Sequence, residues 1–355
     1  MAAWTGSTPL MWIHFGIITP IAIIAGIPLM MIVFLILALA ILSVALGSLW
    51  QPAGETINTL NSHLATITYT TAATFANTPG GHFYQTPKQD DKHRIIIFNL
   101  PYGGGAQYLD MGGGILLDCG RNDAFQRIVM PTLTHLRASP DSLIVTHADA
   151  KHSGAMSQCL ENFHIKQALI PQRELRSPSY KQFLTNAHTR GCRLITPRNG
   201  QHFQIEPKVS LEVLHAPAEL SGKGKADDTG LVLRLHCHHW RILFTGDAGY
   251  LTEERLLASG ADLSADVIIM GRNQDDFTSS PAFLKAVRPL AIVSTNTPFP
   301  HFESIPESWR NFLQTNNIQL LDQSQTGAVT ITIDQQSLTL TPTLDNTHPV
   351  TLIRK

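Results

Sequence analysis

No lysine, arginine, aspartate or glutamate precedes Glu55, and the run from Ile27 to Leu49 is apolar almost throughout. About 20 such residues span the hydrocarbon core of a bilayer, where a helix satisfies its own backbone hydrogen bonds. Nothing polar marks an outer face, which argues against a buried helix of a soluble domain. A secretory signal peptide is the competing reading, but the basic leading region is missing and the apolar stretch is long for one. The earlier run from Met11 to Ala25 is also apolar and is broken at Gly16 and Pro20, so it fits a kinked second span, a re-entrant piece or a packed helix. Residues 1–54 are therefore expected to be transmembrane, the last part of a larger membrane domain or a truncated one. Lys88 is the first basic side chain beyond the span, too distant to set orientation by loop charge.

Residues 55–92 suit either an amphipathic helix at the membrane surface, with Leu60, Leu64 and Ile67 spaced along it, or a plain linker. A turn-rich stretch around Pro79, Gly80 and Gly81 leads into a globular domain expected over 93–345, with a tail at 346–355. Within that domain, short apolar runs alternate with helical patterns. Strands are expected near 94–100, 106–111, 114–118, 142–145 and 241–244, and helices near 123–137, 178–189, 251–258 and 281–287. Such alternation fits two sheets packed face to face with helices outside. A formal net charge of −1 gives no global field toward nucleic acid or acidic lipid. Cys119, Cys159, Cys192 and Cys237 lack any paired spacing, and buried reduced thiols are expected.

The stretch Thr146-His147-Ala148-Asp149-Ala150-Lys151-His152-Ser153-Gly154 follows the apolar run 142–145. A loop at a strand end can converge His147, Asp149 and His152 on one borderline metal ion. Two surface histidines on a loop are the plain alternative, in a chain with 16 histidines. Further on, His215 ends the strand pattern 211–214, and Asp247 follows Thr245-Gly246 at the end of another. Each has an ordinary explanation; Asp247, for instance, can cap the helix near Leu251. The run His236-Cys237-His238-His239 looks like a metal tract but is expected to be a hairpin turn of exposed histidines.

Taken in order, these pieces resemble the C-terminal part of ComEC-type competence proteins, which form the DNA-internalisation channel of naturally transformable bacteria. Trp12-Ile13-His14-Phe15-Gly16 and Ala25-Gly26-Ile27-Pro28-Leu29 are similar to the end of that family's channel domain. Leu116-Leu117-Asp118-Cys119-Gly120 and Asp227-Asp228-Thr229-Gly230-Leu231 resemble two of its turns, and Ser280-Pro281 through Pro289 and Thr326-Gly327-Ala328-Val329 continue the likeness.

The resemblance implies an α/β fold, a metallo-β-lactamase-like αββα sandwich, preceded by an N-terminal transmembrane segment. It implies that His147, Asp149 and His215 hold a first metal, that Asp247 is shared, and that His152 belongs to a second. Asp247 and His152 are then the catalytic candidates. Asp118 and Asp228 are candidates to orient a ligand imidazole, with turn residues as the alternative. His301 lies in a similar Pro-rich turn.

Two departures stand out. Lys151 replaces an aspartate of the second metal, and Arg272-Asn273 replaces a histidine-bearing turn. An ammonium offers no lone pair and repels a dication. The expected cofactor is one divalent ion, Zn²⁺ or Mn²⁺. The implied function is a membrane-anchored one-metal phosphodiesterase acting on incoming DNA, single-stranded by the resemblance. The alternative is a catalytically silent module with a structural or DNA-guiding role. Expected partners are the membrane, DNA and a separately encoded channel subunit. The expected location is the bacterial inner membrane, with the globular domain on its outer side.

Overall fold

A computed structural model describes residues 2–15, 17–76, 78, 81, 83–84, 93–147, 149–171, 178–216, 230–271, 278–296, 305–344 and 348–353. It divides into two compact units, 1–89 and 90–355. Asp228, Arg272, Asn273 and His301 lie outside the described residues, as does the linker 85–92.

The first unit holds helices α1 (Ala2–Phe15), α2 (Ile21–Gly47) and α3 (Gln51–Ala76), and a two-stranded ribbon, β1 (Ile17–Ile18) with β2 (Phe83–Tyr84). Among the described residues, α2 is the one helix long and apolar enough to cross a membrane. Its apolar side chains, Ile27, Met31 and Phe34 among them, are exposed. That is the arrangement lipid requires and water penalises. Of the two readings of the stretch after Glu55, the structure has the helix: it belongs to a continuous 26-residue helix, α3. It folds back on α2, with Ser43 Oγ donating to the Gly54 carbonyl at 2.8 Å. The backbones touch there: a Cβ on Gly54 would lie 2.6 Å from the Gly47 Cα.

The second unit is a four-layer αββα sandwich. Its first sheet has nine strands in the order β18-β17-β16-β3-β4-β5-β6-β7-β8. These are β3 (His93–Ile97), β4 (Gln107–Asp110), β5 (Gly114–Leu117), β6 (Pro140–Ile144), β7 (Gln167–Leu169), β8 (Arg193–Ile195), β16 (Val329–Ile333), β17 (Ser337–Pro342) and β18 (Val350–Ile353). The second sheet has seven, β15-β14-β13-β12-β11-β10-β9. These are β9 (His202–Glu206), β10 (Val209–His215), β11 (Val232–Cys237), β12 (Trp240–Gly246), β13 (Val267–Met270), β14 (Ala291–Ser294) and β15 (Gln319–Asp322). The segment expected as a C-terminal tail thus supplies β18, paired antiparallel to β17.

Inner faces of both sheets form one core that includes Ile95, Leu109, Trp240 and Phe244. Fully burying each such side chain contributes ~1.5–3 kcal/mol. Outside the first sheet lie α4 (Asn122–Ala124), α5 (Met130–His135), α7 (Met156–Asn162) and α8 (Pro178–Thr189), packed through Phe125, Leu133 and Phe183. The segment Phe125–Val129 between α4 and α5 is a π-type turn, so the single helix expected near 123–137 is locally widened. The short α6 (Ala150–Ser153) precedes α7. Outside the second sheet lie α9 (Tyr250–Ala258), α10 (Pro281–Val287) and α11 (Glu307–Thr315), packed through Leu256, Phe283 and Trp309. α12 (Gln323–Thr326) follows β15. All four cysteines are buried and unbridged, as expected.

Both sheets repeat one winding. From β3 to β8 the pairings run antiparallel, antiparallel, parallel, parallel, parallel, and β10 to β15 give the same series. The parallel strands are covered on both faces, which is why Val267–Met270 and Gly114–Leu117 are buried throughout. In each half, the loops after the parallel strands emerge at the carboxyl ends, where open α/β sheets place their sites. Asp118 follows β5 in the first half, and Asp247 follows β12 in the second.

Candidate metal centre

Asp118 leaves β5 in the left-handed region, with φ of 56°, a conformation aspartate tolerates better than most residues. Its carboxylate faces the end of β6. Thr146 donates to it twice, N–H to Oδ1 at 2.7 Å and Oγ–H to Oδ2 at 2.5 Å. With its hydroxyl proton committed, Thr146 Oγ1 can only accept from His147, whose Nδ1 is 2.9 Å away. This fixes the His147 tautomer and places the lone pair on Nε2. Burial pushes Asp118 up to about 7, against the charge of His152 and the two Thr146 bonds.

The next turn makes a second such pair. Asp149 caps α6, and its Oδ1 accepts the His152 N–H at 3.0 Å and meets His152 Nδ1 at 2.7 Å. Burial raises the Asp149 carboxyl, but the hydrogen bond and charge of His152 outweigh it and hold it at about 2. Burial lowers His152, yet the charges and bond from Asp247 and Asp149 outweigh it and push it up to about 10. His152 is thus left with Nε2 facing inward, 3.6 Å from Asp247 Oδ2.

The site residues pack against glycines. Cβ atoms on Gly230 and Gly246 would each sit 2.5 Å from His147 Cε1, and one on Gly271 would collide with Asp247 Oδ1. Gly105 stands the same way against the His152 ring, where a Cβ would lie 2.7 Å from Cδ2. Room for the ligands has been made by deleting side chains on four surrounding strands and loops.

The structure brings His147, His152 and Asp247 together, with Asp118 behind them. Asp118, His147 and His152 each offer a donor atom within 4.8 Å of the others. His215 ends β10 past a bulge in its pairing; it is buried, and its Nε2 has no hydrogen-bond partner among the described residues. Burial, and then the charge of Arg255, hold it below its usual pKa. Asp247 does not cap α9, whose N-cap is Gly249. Lys151 lies half-buried on α6 between Asp149 and His152.

These residues fit a divalent ion. Two ligands ~2.1 Å from one tetrahedral ion lie ~3.4 Å apart, close to the 3.6 Å between His152 and Asp247. A cavity of ≈ 10 Å³ opens between Asp118, His152, Asp247 and Gly271, about the space of one water-sized sphere.

Sequence reasoning missed Thr146, whose signal was only its place before His147. It also missed Asn296, after β14, buried with both amide atoms unpartnered among the described residues. The tract 236–239 was expected to be exposed. His239 is, but Cys237 is fully buried and His236 and His238 are half-buried, because the hairpin closes against the sandwich.

No protein-family model matches the chain. Over 205 residues, 58% of its length, the chain is 22% identical to ComE operon protein 3 of Bacillus subtilis (strain 168), a protein of the ComEC family. The chain spans about a quarter, 26%, of that relative. Among solved structures, it is similar to Igni18, a metallo hydrolase from the hyperthermophilic archaeon Ignicoccus hospitalis KIN4/I, with a TM-score of 0.46 and 14% identity over 68% of this chain and 100% of that one. It is also similar to the metallo-β-lactamase fold protein YhfI from Bacillus subtilis, with a TM-score of 0.45 and 12% identity over 65% of this chain and 97% of that one.

Proposed function

We propose that the chain is a membrane-anchored, one-metal phosphodiesterase acting on single-stranded DNA during uptake. The observation that carries this reading is the pair of oriented imidazoles: His147 through Thr146 to Asp118, and His152 to Asp149. His152 presents Nε2 toward Asp247, and the His147 ring lies 4.8 Å from that of His152 with its Nε2 against Gly230. Ligand histidines in metal sites have their other nitrogen held in this way, and the holding partners set ring orientation and basicity.

On this reading His147, His152, Asp247 and His215 hold one Zn²⁺ or Mn²⁺, and Asp149 orients His152 instead of binding the ion itself. The ion, when bound, supplies a Lewis acid and lowers the pKa of a water molecule. The chain's own residues do the rest. Asp118 and Asp149 fix which nitrogen faces the centre, and the glycine walls admit it. The apolar helix α2 supports placing the site at a membrane, and the likeness to ComE operon protein 3 supports DNA as substrate. A separately encoded channel subunit and an outward-facing domain at the inner membrane belong to the same reading.

The test uses the full chain in detergent or nanodiscs: metal analysis, then cleavage of an end-labelled single-stranded oligonucleotide with Zn²⁺ or Mn²⁺. Loss of one equivalent of metal in Asp247→Asn relative to wild type, with cleavage lost at least ~100-fold, supports the proposal. A folded protein that binds no metal and cleaves nothing sinks it.

A second reading, a silent DNA-guiding module, is favoured by the Asp149–His152–Asp247 arrangement. Without an ion, His152 is a cation held between two carboxylates. Salt-dependent binding of single-stranded DNA with no cleavage supports that reading. Gain of cleavage in Lys151→Asp with Asn273→His would show that those two positions silence the site.

A further inference from the structure

We propose that His93, Cys237 and His238 form a Zn²⁺ site at the end of the sandwich opposite the Asp247 centre. The strand β12 runs from Trp240, beside this cluster, to Gly246, and its seven residues span ~20 Å at ~3.3 Å each.

The cluster joins the two sheets. His93 opens β3 of the first sheet; Cys237 and His238 lie at the turn between β11 and β12 of the second. One donor atom from each lies within 4.8 Å of the other two. The two imidazole rings are 5.1 Å apart between centroids and tilted by 58°. His93 Nε2 is 2.5 Å from Glu206 Oε1 at the end of β9. Donation of that N–H leaves the lone pair on Nδ1, which is buried and has no hydrogen-bond partner among the described residues. A carboxylate holding an imidazole that stands beside a thiol and a second imidazole matches the usual outer shell of a metal-bound histidine. Glu206 is itself seated on Gly112, where any Cβ would collide with its carboxylate.

His238 sits in the left-handed region, with φ of 55°, a conformation that histidine, like Asn, adopts more readily than most residues. One thiolate and two imidazoles suit Zn²⁺ over harder ions, and a fourth position remains for water. Binding releases the thiol proton to solvent and ties β3 to the β11–β12 hairpin.

The experiment is Co²⁺ titration of the metal-free, reduced full chain in detergent, followed by competition with Zn²⁺. Thiolate-to-Co²⁺ charge transfer in the near ultraviolet reports a cysteine ligand, which the Asp247 centre does not use. The band should appear in wild type and in Asp247→Ala, vanish in Cys237→Ala, and need at least tenfold more Co²⁺ in His238→Asn. Asparagine suits the left-handed turn, so this variant keeps the fold if Cys237→Ala does not. Zn²⁺ should displace Co²⁺ and, with the other centre disabled, raise the thermal midpoint of Asp247→Ala but not of Asp247→Ala carrying Cys237→Ala or His238→Asn. A folded wild type with no band, a band unchanged in Cys237→Ala, or His238→Asn binding as tightly as wild type overturns the proposal and leaves a His93–Glu206 ion pair beside a buried thiol.

Discussion

Asp118 binds Thr146 through both carboxylate oxygens, taking the backbone N–H on one and the hydroxyl on the other. One residue is thereby fixed in backbone and rotamer at once, and the hydroxyl is turned so that it accepts from His147. The three groups lie on the ends of adjacent parallel strands, so their spacing is set by the sheet and not by the loop.

Thr146→Val is the sharpest probe of this chain because it keeps shape and removes the hydroxyl. It strands Asp118 Oδ2 and His147 Nδ1 together. Metal affinity should fall ~10–100-fold, the range for lost outer-shell partners, with a stability loss of about 1–3 kcal/mol. Isothermal titration and chemical denaturation of the metal-free protein check the two effects separately. Thr146→Ser should retain most of both; equal damage in Ser and Val would mean that the methyl, not the hydroxyl, matters.

Asp149 is the residue whose proposed role departs furthest from the sequence expectation of a metal ligand. Its Oδ1 is engaged by His152 at both the backbone and the ring. If it orients and caps, Asp149→Asn keeps the capping oxygen and should reduce metal affinity less than about tenfold. Asp149→Ala loses the cap as well, at about 1 kcal/mol of stability. A loss of metal as complete in Asn as in Ala would return Asp149 to the ligand set.

Much of this was legible in the sequence. The apolar run of α2, the strand before His147 and the Gly-Asp after β12 follow from periodicity and turn chemistry. The repeated winding was not, because the halves share topology without sharing residues: Asp118 is followed by Cys119-Gly120, Asp247 by Ala248-Gly249. The pairing of Asp149 with His152 was also hidden, since a carboxylate three residues before a histidine reads equally as ligand or cap. Sheet-to-sheet neighbours such as His93 and Cys237 are far apart in sequence, and only the closed sandwich joins them.

The Asp149–His152–Asp247 arrangement gives metal-free protein a defined pH response. His152 is pushed from 6.5 to about 10 by folding. A group raised in this way contributes stability that is complete below its unfolded pKa and is lost as pH rises through the folded one. The window is therefore 6.5 to about 10. The comparison is His152→Gln in an Asp118→Asn background, both proteins stripped of metal, so that the neighbouring carboxyl does not titrate in the same range. The difference in thermal midpoint should be largest near about pH 6 and shrink toward about pH 10. A difference that stays constant across the window would mean that His152 is not held as a cation.

The glycines around His147 allow backbone cost to be separated from site cost. Gly246 has φ of +53°, and a Cβ there would press on the His147 ring; Gly260 has φ of +69° and nothing within 4 Å. Alanine at Gly260 should therefore cost only the left-handed backbone penalty, about 1–2 kcal/mol, and leave metal affinity alone. Alanine at Gly246 adds overpacking, for a total of about 2–5 kcal/mol, and displaces the ligand. Gly230→Ala, whose glycine has no positive φ but faces the same ring, should lose metal with a smaller stability change. Denaturant midpoints and metal titrations on the three variants decide it. If Gly230→Ala binds metal as wild type does, the ring of His147 does not need the space these glycines leave, and its place in the ligand set falls.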